Sequence, residues 1–367
     1  MWHVYRQIIG PKRVQVHAFA FKRENPDRFP FSNIHLLDRS KLRWARRIWY
    51  RQILGSPQIA LPGESAAFRK LIRAYGVRLL HIYFGNNGVF WLPLFCRREI
   101  PMIVSFHGAD VTVGFASAAG QRRLQQVFTA ADLLLARSDS IRQSIISAGC
   151  NPDKIRIQRT GIPAPDFGYR VRSLPADGRF QFLQACRLIE KKGVEVTLRA
   201  YAKFLKKWPH SHLVIAGDGP LRNRLEQLAL ELGVQNRVEF TGFLGKEELL
   251  ERYYESHLFI HPSEKTPSGD NEGVPNSLLE AMATGLCSIT TRHGGIPEAI
   301  EHLQNGILVD EGDVEGVHHW MKQLAERWPL AVELGQRASE TISREFDWEK
   351  QIQKLEAIYL ELIGDRS

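Results

Sequence analysis

Residues 272–285 read Glu272-Gly273-Val274-Pro275-Asn276-Ser277-Leu278-Leu279-Glu280-Ala281-Met282-Ala283-Thr284-Gly285. Proline suits a first helical turn and glycine a helix stop, so this stretch predicts a loop that runs into a helix beginning near 275. A helix start presents free backbone N–H groups and the positive end of the dipole, which suits a diphosphate. Glu272 falls in the loop and Glu280 more than a turn inside the helix. A carboxylate accepts two hydrogen bonds at once and so matches a vicinal diol such as a ribose or a hexose. Two glutamates eight apart are, taken alone, more often solvated surface.

Neighbouring stretches supply the context. Gly294-Gly295-Ile296-Pro297-Glu298 follows the next apolar run and offers either a backbone approach to a ligand or an ordinary strand-to-helix turn. Upstream, Arg187-Leu188-Ile189-Glu190-Lys191-Lys192-Gly193 leaves a strand-like run. Arg187 as a fork and Lys192 as a point charge suit phosphate oxygens, against the plainer reading of a surface charge run. Gly217 and Gly219 form a glycine turn whose default role is structural. His107, in His107-Gly108-Ala109-Asp110, stands at a strand exit and either contacts a sugar hydroxyl or is a structural histidine.

Further out, short apolar runs alternate with amphipathic stretches. Residues 78–84, 101–108 and 131–138 read as strands, with helical stretches at 120–130 and 139–149. Residues 161–179 carry Pro163, Pro165 and Pro175 with Gly161, Gly168 and Gly178, the composition of a linker. The alternation restarts with strands at 179–188, 212–220, 237–243, 257–263 and 287–292. Helices are expected from Val194 and at 221–233, and a long amphipathic helix at 347–363. The pattern predicts two α/β halves with buried parallel sheets and a ligand cleft beyond their strand ends.

Composition excludes several classes. The chain has 367 residues, 44% hydrophobic and 24% charged, enough for two folded domains. Its most apolar stretch, 79–95, is broken by Gly85, Gly88 and Pro93, so no spanning helix is expected. The start lacks a secretory signal. Four scattered cysteines form no CxxC pair, which argues for reduced thiols in the cytoplasm and against zinc. No DxD stands where a divalent ion is expected, and no GxGxxG follows an early strand. A net charge of +9 fits an anionic substrate, nucleic acid or an anionic membrane surface. Residues 41–51 concentrate five cations with Trp44, Trp49 and Tyr50. They form either an interfacial helix or a surface helix whose tryptophans pack inward.

Together these motifs resemble glycosyltransferase family 4, and within it the branch that builds exopolysaccharide and colanic-acid-type repeat units. The resemblance runs from about residue 78 and rests on His81-Ile82-Tyr83-Phe84-Gly85, Phe106 to Asp110, Arg187 to Gly193, Ala216-Gly217-Asp218-Gly219-Pro220, Glu272 to Glu280, and Gly294 to Glu298. It implies a GT-B fold, with two Rossmann-like domains facing each other across a cleft. It implies a nucleotide-sugar donor, retention of anomeric configuration, and no metal or other cofactor. By position, His107 and Glu272 match the residues at the donor hexose, Arg187 and Lys192 the diphosphate clamp, and Glu280 the ribose ligand. The backbone of Gly273, Val274, Pro275, Asn276 and Ser277 would meet sugar and phosphate, and Gly217 and Gly219 belong to the donor-binding set.

The expected division is an acceptor-side domain over 1–168 and a donor domain over 169–346, with the helix at 347–367 packing back on the first. The family's opening strand is missing from this reading, since Trp2 to Ile8 already looks helical. UDP-glucose is the favoured donor and GDP-mannose the rival. The expected acceptor is a polysaccharide or lipid-linked oligosaccharide. Nucleic acid is not an expected partner, while peripheral contact with the inner membrane face is. Two alternatives stay open, a nucleotide-sugar epimerase and a non-catalytic nucleotide-sugar-binding protein.

Overall fold

The computed structural model describes residues 2–38, 43–95, 99–111, 115, 117–266 and 273–364. The chain folds as two compact units, one of residues 1–160 with 349–367 and one of residues 161–348.

In the first unit, β1 (Ala18–Ala20) and β2 (Ile34–Leu36) form a two-stranded parallel sheet. The strands β3 (Leu80–Tyr83), β4 (Met102–Phe106), β5 (Leu133–Ala136) and β6 (Ile155–Ile157) form a four-stranded parallel sheet in chain order. β4 and β5 are buried along their whole length, as continuous apolar runs require when helices cover both faces. The helices are α1 (Trp2–Ile9), α2 (Arg43–Ile48), α3 (Pro62–Ala74), α4 (Gly85–Phe90), α5 (Leu92–Phe95), α6 (Ala118–Ala130) and α7 (Asp139–Ser147). α6 and α7 start where Ser117 and Ser138 accept the N–H of Gly120 and Ile141, the usual serine cap.

In the second unit, β7 (Gln181–Ala185), β8 (His212–Ala216), β9 (Val238–Gly242), β10 (Leu258–His261), β11 (Cys287–Thr291) and β12 (Ile307–Val309) form one parallel sheet. Its order is β12-β11-β10-β7-β8-β9. The chain therefore winds outward from β7 in one direction, returns, and winds outward from β10 in the other. The carboxyl ends of β7 and β10 flank the switch point, where crossovers leave to opposite faces and open a crevice. The helices are α8 (Val194–Phe204), α9 (Arg222–Glu231), α10 (Lys246–Glu255), α11 (Asn276–Ala283), α12 (Val314–Glu326) and α13 (Trp328–Thr341). α14 (Trp348–Gly364) then returns to the first unit, where Leu355, Ile358 and Tyr359 cover Ile103, Leu133 and Leu135.

Two expectations change. Residues from 161 onward are not a free linker but pack as part of the second unit. Ile162 bridges Asp347 and donates its N–H to Phe346 at 2.9 Å, and both Ile162 and Phe167 lie in the second unit's core. The Arg172 guanidinium is buried there, donating to the carbonyls of Thr284 and Tyr253. The inward reading of the tryptophans also fails. Trp44 is 73% exposed and Trp49 is 53% exposed, with Ile53 and Leu54 exposed beside them. Arg46 instead turns to the protein, pairing with Glu64 at 3.3 Å and donating to the Ile59 carbonyl.

Candidate active site

The predicted helix near 275 is α11. Pro275 is its N-cap residue and makes no side-chain cap, and Gly285 follows its end at φ 81°. The helix opens beside the end of β7, because Ser277 Oγ donates to the Ala185 carbonyl at 2.7 Å. The β7 exit turn carries Arg187, exposed, and Lys192, half-buried. That turn is fixed from within, since Gln184 Nε2 donates to the Lys192 carbonyl at 2.8 Å. Gly193 closes it at φ 59°, where a Cβ would stand 1.9 Å from the Pro262 carbonyl oxygen. A helix start and a cationic turn thus share one side of the switch-point crevice, which is what a diphosphate needs.

Glu280 is half-buried on α11. The Tyr253 hydroxyl lies 3.1 Å from both Glu280 Oε2 and the Ser277 carbonyl and shares its proton between them. Burial and the adjacent Glu280 carboxylate push Tyr253 ionisation well above the ordinary range, so it remains a donor. Asn276 is exposed, Val274 packs on the core, and a Cβ at Gly273 would meet none of the described residues within 4 Å. Glu272 lies outside the described residues.

The two glycines of the β8 exit have a structural reason. Cβ atoms at Gly217 and Gly219 would fall 1.8 Å from the Cys186 carbonyl oxygen and 2.5 Å from that of Leu188. Their N–H groups are used within the protein, by the Gly242 carbonyl and by Asp218 Oδ1. They place the β7 exit turn instead of offering free donors. In the Gly294 to Glu298 loop, Ile296 is buried, and the His293 ring just before it is held by Glu311 at 2.8 Å.

His107 stands at the exit of β4 in the first unit. Its Nε2 lies 3.0 Å from Ser105 Oγ, and the Phe84 ring packs against it at 4.7 Å between centroids. The Asp110 carboxylate accepts N–H groups from His107 and Gly108 at 2.8 Å each and from Gly85 at 3.0 Å.

Sequence reading missed Tyr253, Ser105, Gln184 and His261. His261 ends β10, and neither ring nitrogen has a hydrogen-bond partner among the described residues. Burial, then the charges of Lys192 and His293, push its pKa well below the usual range, which leaves it neutral. No spacing signal marks these four: the Tyr253 contact is made only when the fold brings α10 to α11, and the others sit inside runs that read as ordinary strand. Among the described residues no group of three or more His, Cys, Asp or Glu side chains is arranged to hold a metal.

Comparison with known proteins gives the family and the fold. Residues 10–164 match the family described as Glycosyltransferase Family 4, and residues 169–341 match Glycosyl transferases group 1. The chain is 29% identical to the amylovoran biosynthesis glycosyltransferase AmsK of Erwinia amylovora, over 74% of this chain and 66% of that protein. It is 32% identical to the putative colanic acid biosynthesis glycosyltransferase WcaL of Salmonella typhimurium, over 64% of this chain and 58% of that protein. The matches thus span less than two thirds of these relatives' lengths. Among solved structures, HepE of Anabaena in complex with UDP superposes with a TM-score of 0.77 at 18% identity, covering 98% of this chain and 95% of that one.

Two Rossmann-like units, the second wound about a switch point that gathers a helix start and a cationic turn, define the GT-B class. The chain belongs to the family-4 glycosyltransferases.

Proposed function

We propose that this chain is a retaining, metal-independent hexosyltransferase of exopolysaccharide assembly. It would take its sugar from a nucleoside diphosphate, UDP-glucose by preference, and pass it to a polysaccharide or lipid-linked oligosaccharide. The observation that carries the reading is the α11 start tied to the end of β7 beside Arg187 and Lys192. HepE, of like fold, is seen with UDP and with UDP-glucose, and AmsK and WcaL are named for exopolysaccharides, which supports donor and pathway class.

The chemistry follows from charge and position. The leaving diphosphate gathers negative charge, which the α11 start, Arg187 and Lys192 stabilise without a metal ion. Glu280 holds the ribose diol, and Glu272 and His107 orient the hexose. The acceptor hydroxyl attacks the face that the diphosphate leaves and gives its proton to a phosphate oxygen. The protein's share is positioning and charge stabilisation. An inner-leaflet location fits the exposed Trp44, Trp49, Ile53 and Leu54 on a segment rich in arginine. No helix among the described residues is long and apolar enough to cross a membrane.

Thermal-shift screening against UDP, GDP, ADP and their sugars tests the donor site, since a selective ligand stabilises the fold. UDP and UDP-glucose are expected to raise the melting temperature most. Glu280→Ala should weaken nucleotide binding, whereas Glu272→Ala should mainly slow turnover, with chelator present throughout. Parent-like behaviour of both variants removes the site. Flotation with vesicles containing anionic lipid tests docking, and binding unchanged after replacing Trp44 and Trp49 removes that part.

A further inference from the structure

The exits of β3 and β4 meet at one carboxylate. Asp110 Oδ1 accepts the N–H of His107 and of Gly108, and Oδ2 accepts the N–H of Gly85. Gly85 belongs to the β3 exit and the other two to the β4 exit. Both exits are conformationally unusual. Phe84 has φ 72°, a left-handed conformation that a phenylalanine adopts only when its surroundings hold it, and Gly108 has φ 147°. Phe84 N–H donates to the Ser105 carbonyl at 2.8 Å, so the same two loops are joined a second time. The Phe84 ring then lies against the His107 imidazole, whose Nε2 meets Ser105 Oγ. The Ser105 and Phe84 contacts of this imidazole therefore both pass through the junction.

We propose that Asp110 is a positioning residue for sugar transfer: by drawing three backbone N–H groups from two strand exits onto one carboxylate, it sets the place of the His107 ring. The inference rests on the reading of His107 as a group facing the donor hexose. A carboxylate suits the task because both oxygens only accept. An asparagine keeps one acceptor for His107 and Gly108 but turns an NH2 group toward the Gly85 N–H, donor against donor. Asp110→Asn therefore releases the β3 exit selectively, and Asp110→Ala releases both.

Two measurements on the full chain test this. The first needs no turnover. Amide hydrogen exchange and the His107 imidazole NMR signal, assigned by its loss in His107→Gln, are compared in the parent and Asp110→Asn. Exchange at Gly85 is expected to rise roughly tenfold, with a displaced His107 signal and with UDP still raising the melting temperature as it does in the parent. Unchanged exchange and an unmoved imidazole signal overturn the proposal.

The second is UDP release from UDP-glucose, or GDP release from GDP-mannose if the parent prefers it. Asp110→Ala is expected to lower kcat about tenfold or more, within the range of a misplaced catalytic group, while KM for the nucleotide sugar stays within about twofold. In a His107→Ala background the same change should cost no more than about twofold, because positioning a missing ring is worthless. Equal losses in both backgrounds would show a merely structural aspartate and overturn the proposal. Parent-like kcat in His107→Ala alone removes the site reading instead, a separate result.

Discussion

The exit of β4 in the first unit and the switch-point crevice of the second are held by opposite means. At β4, one carboxylate gathers three N–H groups from two loops. At the crevice, backbone packs directly on backbone at three glycines, Gly193 on Pro262, Gly217 on Cys186 and Gly219 on Leu188. Side-chain bonds from Gln184, Ser277 and Tyr253 are added to that. A contact that no Cβ can enter fixes geometry by exclusion and spreads it over several residues. A carboxylate fixes it by attraction through a single group. The crevice is therefore held chiefly by backbone contact and is intolerant at its glycines, whereas at the β4 exit one carboxylate carries three of the bonds that join the two loops.

The largest test is steric. Gly217→Ala puts a Cβ 1.8 Å from the Cys186 carbonyl oxygen at φ 139°, so strain and overpacking act together. We expect a loss of about 3 kcal/mol or more in urea unfolding. Gly108→Ala sits at a similar φ of 147°, with no heavy atom of the described residues within 4 Å of the added Cβ. Its cost should be conformational only, about 1 kcal/mol. Equal costs would break the contrast between exclusion and attraction.

The next test is acid. His81 on β3 lies between two tyrosines, stacking on Tyr83 at 4.1 Å and meeting the Tyr359 hydroxyl through Nδ1 at 2.6 Å. Its Nε2 is closed off from solvent without a partner among the described residues. Burial pushes its pKa down to about 3, from the usual 6.5. The folded state thus keeps a neutral ring while the unfolded chain takes up a proton below pH 6.5. The stability this neutral ring contributes is complete above that pH and is lost as pH falls toward 3. Between pH 6.5 and 5 the loss is about 2 kcal/mol by linkage. His81→Gln should flatten the pH dependence of the unfolding midpoint over that window, whatever its effect at neutral pH. An unchanged slope would show that His81 is not the group responsible.

Much of this architecture was legible before any coordinates. Long apolar runs became strands where expected, because β4, β5, β7, β8, β10 and β11 are almost wholly buried and draw mainly apolar residues. The strands that escaped are β1, β2, β6 and β12, each three residues long. A run that short carries no period of its own, and pairing with a neighbour defines it. The same holds at the site. Pro275 to Gly285 announced a helix through local preferences, and the Arg187 to Gly193 turn through its charge and glycine. Asp110 stood in plain view beside His107, but only the fold brings Gly85 to its second oxygen. Tyr253 reads as one more core aromatic of α10 until α11 places Glu280 at its hydroxyl.

That tyrosine gives the smallest and sharpest test. Tyr253→Phe keeps the buried ring and removes one oxygen, taking a donor from the Ser277 carbonyl and from Glu280 Oε2 together. The lost hydrogen bonding should cost about 1 kcal/mol of stability. If Glu280 binds the ribose, the carboxylate loses one of the groups that hold it, and UDP affinity measured by calorimetry should fall by roughly threefold to tenfold, about 1 kcal/mol in binding. The effect belongs to affinity because Glu280 would grip the nucleotide in the ground state and the transition state alike. Turnover at saturating donor should hardly move, the reverse of the Asp110 variants, whose losses fall on kcat. Stability lost with affinity intact would leave Tyr253 a strut between α10 and α11 and would separate Glu280 from the nucleotide.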